Sequence, residues 1–170
     1  FVSLGSPGVI CNLAAGTAAG APFAGESAVL HNIANAVGTN GNDTITGSAA
    51  ANVMAPGRGA DVLHGGGQED GRYDIVVVFP SGACDIDLEA GTATSAFQTC
   101  TFDLIEGVSG SNAADTIDGY SGDNLLFGNG GNDTVDGRGG TDIAVLFGNE
   151  ADYQIAHNGD GSITVTDLRS

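Results

Sequence analysis

The sequence predicts an all-β protein, a right-handed parallel β-roll, and three observations lead to that prediction. Glycine supplies 29 of the 170 residues, and 16 aspartates and 12 asparagines add to a composition that favours turns over helices. These turn-forming residues recur with a nine-residue period in two parts of the chain. No stretch keeps an apolar 3.6-residue period for long enough to predict a helix.

The charge balance excludes several classes of function. The chain has 21 acidic side chains against 4 basic ones, all of them arginine, which gives a formal net charge of −17. A chain this acidic repels nucleic-acid phosphates and anionic membrane surfaces. The longest apolar run, Ile75–Phe79, is far too short to cross a bilayer. We therefore expect neither nucleic-acid binding nor membrane insertion.

The first array of nonapeptides begins at Gly38, after spacer strands in the first part of the chain. It reads GTNGNDTIT, GSAAANVMA and PGRGADVLH, with Asp43, Asn52 and Asp61 at the sixth position and an apolar residue at the eighth. Asp74 follows Asp61 by thirteen residues instead of nine, which indicates a four-residue insertion around 68–73. The array therefore spans 38–74.

The second array, at 110–145, is a copy of the first. It reads GSNAADTID, GYSGDNLLF, GNGGNDTVD and GRGGTDIAV, and its first sixth-position residue, Asp115, lies 72 residues after Asp43. The segments that lead into the arrays also match, as NLAAGTA does with DLEAGTA. We predict two duplicated units, residues 1–74 and 75–147.

The last segment, 148–170, is predicted to be a β-hairpin that caps the second unit. DYQIA and SITVTDL alternate apolar and polar residues, and HNGDG lies between them as the turn.

The nonapeptides resemble the G-G-x-G-x-D-x-U-x repeat of the RTX (repeats-in-toxin), or hemolysin-type, calcium-binding family. The resemblance covers both arrays, about 70 residues, and implies a β-roll in which two nonapeptides complete one coil. It also implies that Ca²⁺ lies between turns 18 residues apart. One turn would supply the carbonyls of positions two and four and the Asp at position six, and the later turn the carbonyls of positions one and three and its own Asp.

Carried onto this chain, the resemblance implies four calcium sites. The first would join Asp43 and Asp61 with the carbonyls of Thr39, Gly41, Pro56 and Arg58. The second would join Asn52 to either Asp70 or Asp74. The third would join Asp115 and Asp133 with the carbonyls of Ser111, Ala113, Gly128 and Gly130. The fourth would join Asn124 and Asp142 with the carbonyls of Tyr120, Gly122, Gly137 and Gly139.

The four sites are not expected to be equally strong. Asn52 and Asn124 replace a carboxylate with an amide, so the second and fourth sites should bind calcium more weakly. The third site keeps two carboxylates and is expected to be the strongest. The alternative is a set of metal-free glycine-rich coils, but stacked carboxylates without a cation would repel one another.

The three cysteines leave two arrangements open. Cys84 and Cys100 flank a short excursion of the second unit, and we predict a disulfide between them. An intermolecular bond through one of the three cysteines is the alternative. Cys11 is expected to be a free, inward-facing thiol. The three histidines have no zinc-site spacing.

Three functions fit the sequence. The first is a secreted, non-catalytic, calcium-folded module of a larger extracellular bacterial protein such as an adhesin, toxin or exoenzyme. The second is a self-assembling extracellular subunit of a fibre, surface layer or matrix, stacked head to tail on copies of itself. The third is a calcium-dependent enzyme acting on polysaccharide, with a carboxylate such as Glu89 or Glu106, although no motif names a catalytic group.

The resemblance also implies an extracellular or cell-surface location, reached by type I secretion from a Gram-negative bacterium. Without calcium the carboxylates repel and a glycine-rich backbone loses much entropy on ordering. With calcium, binding free energy becomes folding free energy. Phe1–Leu4 aligns with Val76–Phe79 at the end of an array, so we expect another array to precede this chain.

Overall fold

The computed structural model describes residues 8–20, 27–67, 71–78, 82–157, 159 and 163–168, and within them it contains no α-helix. The first eight strands are β1 (Val9–Asn12), β2 (Thr17–Gly20), β3 (Ser27–Val29), β4 (Ala36–Val37), β5 (Thr44–Thr46), β6 (Val53–Ala55), β7 (Gly59–His64) and β8 (Ile75–Val77). The next eight are β9 (Asp85–Asp87), β10 (Thr92–Thr94), β11 (Gln98–Asp103), β12 (Gly107–Ser109), β13 (Thr116–Asp118), β14 (Leu125–Phe127), β15 (Thr134–Asp136) and β16 (Ile143–Val145). A 3-10 turn, Glu150–Asp152, leads to β17 (Tyr153–His157) and β18 (Ile163–Asp167).

Within the arrays the chain alternates between two sheets, because each six-residue turn reverses its direction. The first sheet has the order β15-β13-β9-β10-β11-β7-β5-β1-β2-β3, and the second has the order β16-β14-β12-β8-β6-β4. The array strands pair in parallel with an offset of 18 residues, as Thr44 does with Val62 and Leu125 with Ile143. The predicted parallel β-roll with two nonapeptides per coil is confirmed.

The four-residue insertion appears in the register of the second sheet. Val53 of β6 pairs with Ile75 of β8, an offset of 22 residues that equals one coil of 18 plus four. Residues 68–70, which belong to the insertion, lie outside the described residues.

The spacer before each array is an antiparallel three-stranded meander within the first sheet. β1, β2 and β3 form the first meander, and β9, β10 and β11 form the second. The second meander joins the two units, because β9 pairs in parallel with β13 while β11 pairs in parallel with β7. The sequence predicted spacer strands but not this direction, since alternating small and polar residues do not distinguish parallel from antiparallel pairing.

The core is a single stack of apolar side chains between the two sheets. The eighth residue of each nonapeptide points inward, and Ile45, Leu63 and Ile117 of the first sheet are completely buried. Met54, Val76 and Val108 of the second sheet are also completely buried, and one cluster runs through both units. Burying one such side chain contributes about 1.5–3 kcal/mol, so the core offsets the cost of ordering a glycine-rich chain.

The predicted disulfide is wrong: Cys84 and Cys100 are both free and buried. The reason is the meander, because β10 lies between the strand that follows Cys84 and the strand that contains Cys100. Two strand spacings amount to about 9.5 Å, whereas a disulfide needs Cα atoms roughly 4.4–6.8 Å apart. Cys11 is a free, half-buried thiol packed against the core, as expected.

The end of the chain forms the predicted hairpin. β17 and β18 pair antiparallel, with Tyr153 opposite Asp167, in a two-stranded sheet of their own. The Tyr153 hydroxyl donates a hydrogen bond to the carbonyl oxygen of Phe147, which ties the hairpin to the end of the second array. No described helix is long and apolar enough to span a bilayer. The domain boundaries after residues 74 and 147 stay a prediction.

Candidate calcium-binding turns

The sixth residue of each nonapeptide folds its side chain back under its own turn. In the first and third predicted sites, Oδ2 of Asp43 accepts the Thr39 N–H at 2.6 Å and Oδ2 of Asp115 accepts the Ser111 N–H at 2.6 Å. Asn52 does the same through Oδ1, which accepts the Ser48 N–H at 2.6 Å. An acceptor at this position therefore closes the six-residue turn, whether it belongs to Asp or to Asn.

The other carboxylate oxygen bonds to the coil before it, and this joins all four predicted pairs. The Asp43 N–H donates to Asp61 Oδ1 at 2.8 Å, and the Asp115 N–H donates to Asp133 Oδ1 at 3.0 Å. The Asn124 N–H donates to Asp142 Oδ1 at 2.9 Å.

The second predicted pair, which the sequence left open, is resolved in the same way. The Asn52 N–H donates to Asp74 Oδ1 at 2.7 Å, so Asp74 takes the position-six role in the following coil. Asp70, the alternative partner, lies outside the described residues.

Main-chain carbonyls of the following coil converge on the same side-chain oxygens. A Cβ atom added to Gly38 would collide with the Pro56 carbonyl oxygen and with Asp43 Oδ2. At Gly110 a Cβ would lie 2.6 Å from Asp115 Oδ2 and 3.2 Å from the Gly128 carbonyl oxygen.

The two asparagine turns repeat this arrangement. A Cβ on Gly119 would lie 2.7 Å from the Gly137 carbonyl oxygen and would collide with Asn124 Oδ1. A Cβ on Gly47 would collide with the Gly65 carbonyl oxygen and Asn52 Oδ1. Glycine is thus required at position one because oxygen atoms from two coils fill the space that a side chain would take.

The position-two and position-four carbonyls of the earlier turn face the later turn. The Thr39 carbonyl oxygen accepts the Arg58 N–H at 3.1 Å, and a Cβ on Gly59 would lie 2.5 Å from the Gly41 carbonyl oxygen. A Cβ on Gly131, whose φ is +118°, would lie 2.5 Å from the Ala113 carbonyl oxygen. Gly122 and Gly140 repeat this contact in the fourth site. These contacts do not define where the remaining predicted carbonyls point, namely those of Arg58, Ser111, Gly130, Tyr120 and Gly139.

Burial separates the turns inside the roll from those at its end. Asp43, Asp61 and Asp115 are at most 2% exposed, whereas Asp133 is half-buried and Asp142 is exposed. Asp133 and Asp142 belong to the last coil of the second array, and among the described residues no further coil covers them. Carboxylates buried to this degree require a cation or hydrogen bonds to balance their charge.

Asp61 carries the clearest unmet demand for a cation. Its Oδ2 is buried and has no hydrogen-bond partner among the described residues. Burial raises the pKa of Asp61 to about 6, even though the hydrogen bond from Asp43 opposes that shift and the Asp43 charge adds to it. The described salt bridges use Asp87, Asp103 and Asp118, and none reaches Asp43, Asp61 or Asp115.

The donor set at these turns fits a hard cation. Ca²⁺ takes 6–8 oxygen ligands, and both carboxylates and main-chain carbonyls serve. No group of three or more His, Cys, Asp or Glu side chains converges within the described residues. A metal held here would therefore depend on main-chain carbonyls for most of its ligands, and the facing turns supply them.

The asparagine turns differ from the aspartate turns in one atom. Nδ2 of Asn124 is buried and has no hydrogen-bond partner among the described residues. Nδ2 of Asn52 donates to the Ala34 carbonyl oxygen at 2.6 Å. An amide nitrogen cannot ligate Ca²⁺, so each of these turns offers one charged oxygen fewer than an aspartate turn.

Two participants were missed in the sequence. The Gly65 carbonyl takes the position-one role in the second site, where the insertion obscured the register. Glu106 occupies position six between Asp74 and Asn124 in the second sheet, and its Oε2 accepts the Asp74 N–H at 3.0 Å. Only three residues separate β11 from β12, so no nonapeptide pattern marks Glu106. The alignment of HNIANAVG with DLIEGVSG was the one signal that could have located it.

Stacked turns of this kind, with buried acidic residues and facing carbonyls, define a calcium-binding β-roll. The family model described as the RTX calcium-binding nonapeptide repeat matches the chain in four copies, at residues 37–71 and 109–144. Those two segments coincide with the two arrays, so the chain carries RTX repeats, and RTX repeats bind Ca²⁺. A comparison with curated proteins gave no significant match.

Proposed function

We propose that this chain is a non-catalytic structural module of a larger extracellular bacterial protein, and that Ca²⁺ folds it. The buried Asp61 carboxylate, whose Oδ2 has no described partner, is the observation that supports this most directly. A cation between the Asp43 and Asp61 turns would supply that partner, and the Pro56 carbonyl lies at the same place. The RTX family is a calcium-binding structural module that is generally non-catalytic.

The proposed ligands are those of the four facing pairs of turns. Asp43 with Asp61 and Asp115 with Asp133 provide two carboxylates each, so these are the stronger sites. Asn52 with Asp74 and Asn124 with Asp142 provide one carboxylate each. Charge count and rigidity tune calcium affinity in proteins, so the two classes of site should separate in a titration.

The proposed location is outside the cell, after export by a type I route. RTX repeat proteins are typically secreted by bacteria. Extracellular calcium modules bind with Kd on the order of 10⁻⁴–10⁻³ M, which keeps such a module unfolded in a cytosol. A chain that is unfolded inside and folded outside the cell suits export through a narrow channel.

Circular dichroism with and without calcium tests the proposal. We expect the β signal of the full chain to develop as calcium is added and to disappear in EGTA. Asp61→Ala should shift the calcium midpoint to higher concentration, because it removes a ligand of the first site. Asp85→Ala, which removes an exposed aspartate outside the turns, should leave the midpoint unchanged. A β signal that is the same in EGTA and in calcium would refute the proposal.

A further inference from the structure

The junction between the two units provides a template for a contact between two molecules. At this junction β11 pairs in parallel with β7, and β12 pairs in parallel with β8. The strands β9–β16 repeat β1–β8 in order, because each spacer meander and each array has a counterpart in the other unit. The counterparts of β7 and β8 are β15 and β16, and the counterparts of β11 and β12 are β3 and β4.

These four counterpart strands lie at the ends of the two sheets. We call β15 with β16 the trailing end, and β3 with β4 the leading end. Among the described residues, each of these strands is the last of its sheet. The hairpin β17–β18 forms a separate sheet and pairs with neither end. Each end therefore presents an unpaired strand edge in both sheets, and such edges are templates for strand addition.

The residues that the internal junction buries are exposed at the trailing end. Leu63 and Val76 are completely buried because the second unit covers them. Val135, 72 residues after Leu63, is 39% exposed, and Ala144, the counterpart of Val76, is also exposed. The trailing end thus presents the same apolar surface that the molecule covers at its centre.

The leading end presents the complementary surface. Phe102, which pairs with Leu63 at the junction, has Leu30 as its counterpart, and Val108, which pairs with Val76, has Ala36. Leu30 and Ala36 are only half-buried, and the adjacent Val37 is 71% exposed. Docked in the internal register, Leu30 would lie opposite Val135 and Val37 opposite Val145, so apolar residues would face apolar residues.

The charges at the two ends are also complementary. At the internal junction, Nδ1 of His64 in β7 lies 2.8 Å from Oδ1 of Asp103 in β11. The counterpart of His64 at the trailing end is Asp136, and the counterpart of Asp103 at the leading end is His31. The pair is kept with its partners exchanged, and both Asp136 and His31 are exposed.

We propose that the leading end of one copy of this chain docks on the trailing end of another, in the register of the internal junction. β3 would extend the first sheet beside β15, and β4 would extend the second sheet beside β16. His31 of one molecule would pair with Asp136 of the next. Such a contact is head-to-tail and leaves one free end of each kind, so it propagates into a filament. The proposal rests on the calcium-folded state, because the ends exist only in the folded roll.

Sedimentation velocity of the full chain in saturating calcium tests the contact. We expect oligomers that grow with protein concentration and appear in electron micrographs as linear rods. His31→Asp should weaken the association about tenfold, because it replaces an attractive pair by two like charges. Asp136→His should weaken it less, because two neutral imidazoles do not repel.

The double variant His31→Asp with Asp136→His separates the proposed register from a general charge effect. It restores the pair with its partners exchanged, as at the internal junction, and should assemble like the wild type. Asp85→His makes the same type of charge change away from both ends and should leave assembly unchanged.

Circular dichroism in calcium, recorded on each sample, distinguishes failure to fold from failure to dock. A folded, calcium-bound chain that stays monomeric at the highest concentration would overturn the proposal. A folded double variant that assembles no better than His31→Asp would also overturn it, because the internal register would then not apply.

Discussion

Asp61 shows how a single residue position combines folding with metal binding. Its Oδ1 accepts a hydrogen bond from the preceding coil, while its Oδ2 is buried with no hydrogen-bond partner among the described residues. The burial that makes the carboxylate a good ligand also raises its pKa, to about 6. A proton and a calcium ion therefore compete for the same oxygen, and either one relieves the cost of the buried charge.

The raised pKa predicts how stability depends on pH when calcium is absent. A carboxyl whose pKa is higher in the folded state than in the unfolded chain favours folding most below its unfolded pKa of about 3.9. This contribution is lost as the pH rises through the folded pKa of about 6. In EGTA, we therefore expect the β signal to be stronger at pH 4.5 than at pH 7.5.

Asp61→Asn is the matched variant for this pH experiment, because an amide stays neutral at every pH. Its β signal in EGTA should change less between the two pH values than that of the wild type, measured by circular dichroism on the same samples. An unchanged pH dependence in Asp61→Asn would assign the effect to other groups, such as Asp133, whose pKa burial also raises.

Asn124 predicts a gain of affinity. The substitution Asn124→Asp replaces the unpartnered Nδ2 by a second carboxylate oxygen facing Asp142. We expect calcium affinity at the fourth site to rise about tenfold, since ligand charge tunes affinity. Calorimetric titration measures the change, and Asn112→Asp adds the same charge at an exposed position of a neighbouring turn. Equal affinities in the two variants would show that net charge, not position six, is responsible.

At the scale of elements, the regular parts of this fold could be predicted and the irregular parts could not. The nine-residue period located β5, β6, β13 and β14, because each turn has the same composition and each inward residue is apolar. The meander strands β9, β10 and β11 carry no such period, so their antiparallel order was not visible. The disulfide prediction failed for the same reason, since it assumed that the flanks of an excursion lie side by side.

The candidate site could be predicted further than the spacers, because its ligands follow the repeat. All four predicted pairs of position-six residues are joined by hydrogen bonds. Glu106 was missed as a position-six residue because a shortened turn removes the glycines that mark the register. Its place follows only from strand pairing, which requires knowing that β12 stacks between β8 and β14.

The buried thiols of the second meander give a prediction about this element. Cys84 and Cys100 are 5% and 0% exposed, and burial raises the pKa of Cys84 to about 11, with the Asp115 charge as a smaller cause. Because only a thiolate reacts, neither should be alkylated by iodoacetamide in calcium, and both should be alkylated in EGTA. Mass spectrometry of the peptides measures this, with half-buried Cys11 as an internal comparison.

The same alkylation experiment tests the corrected disulfide. A disulfide between Cys84 and Cys100 would block both thiols in EGTA as well, unless reductant is present. Labelling of both residues in EGTA without reductant would therefore agree with free cysteines, and labelling in calcium would contradict their burial.

At the scale of the whole molecule, the acidic charge and the shared core act in opposite directions. The formal net charge of −17 destabilises any compact state, and four bound Ca²⁺ would reduce it to −9, since four ions carry eight positive charges. One apolar cluster runs through both units and holds them together, including Leu63 and Val76 from the first and Val108 and Ile117 from the second. Calcium should therefore fold both units as one body.

This continuity predicts a single cooperative unfolding transition in saturating calcium. Val108 is completely buried where the second unit stacks on the first, and Val108→Ala removes two methyl groups at that point. We expect it to destabilise the whole chain by about 1.5–3 kcal/mol and to shift the entire calorimetric transition. Val53→Ala, on an outward-facing and 37% exposed residue of β6, should change stability by roughly 0.5 kcal/mol or less. Two resolved transitions in the wild type would show that the units fold separately in spite of their common core.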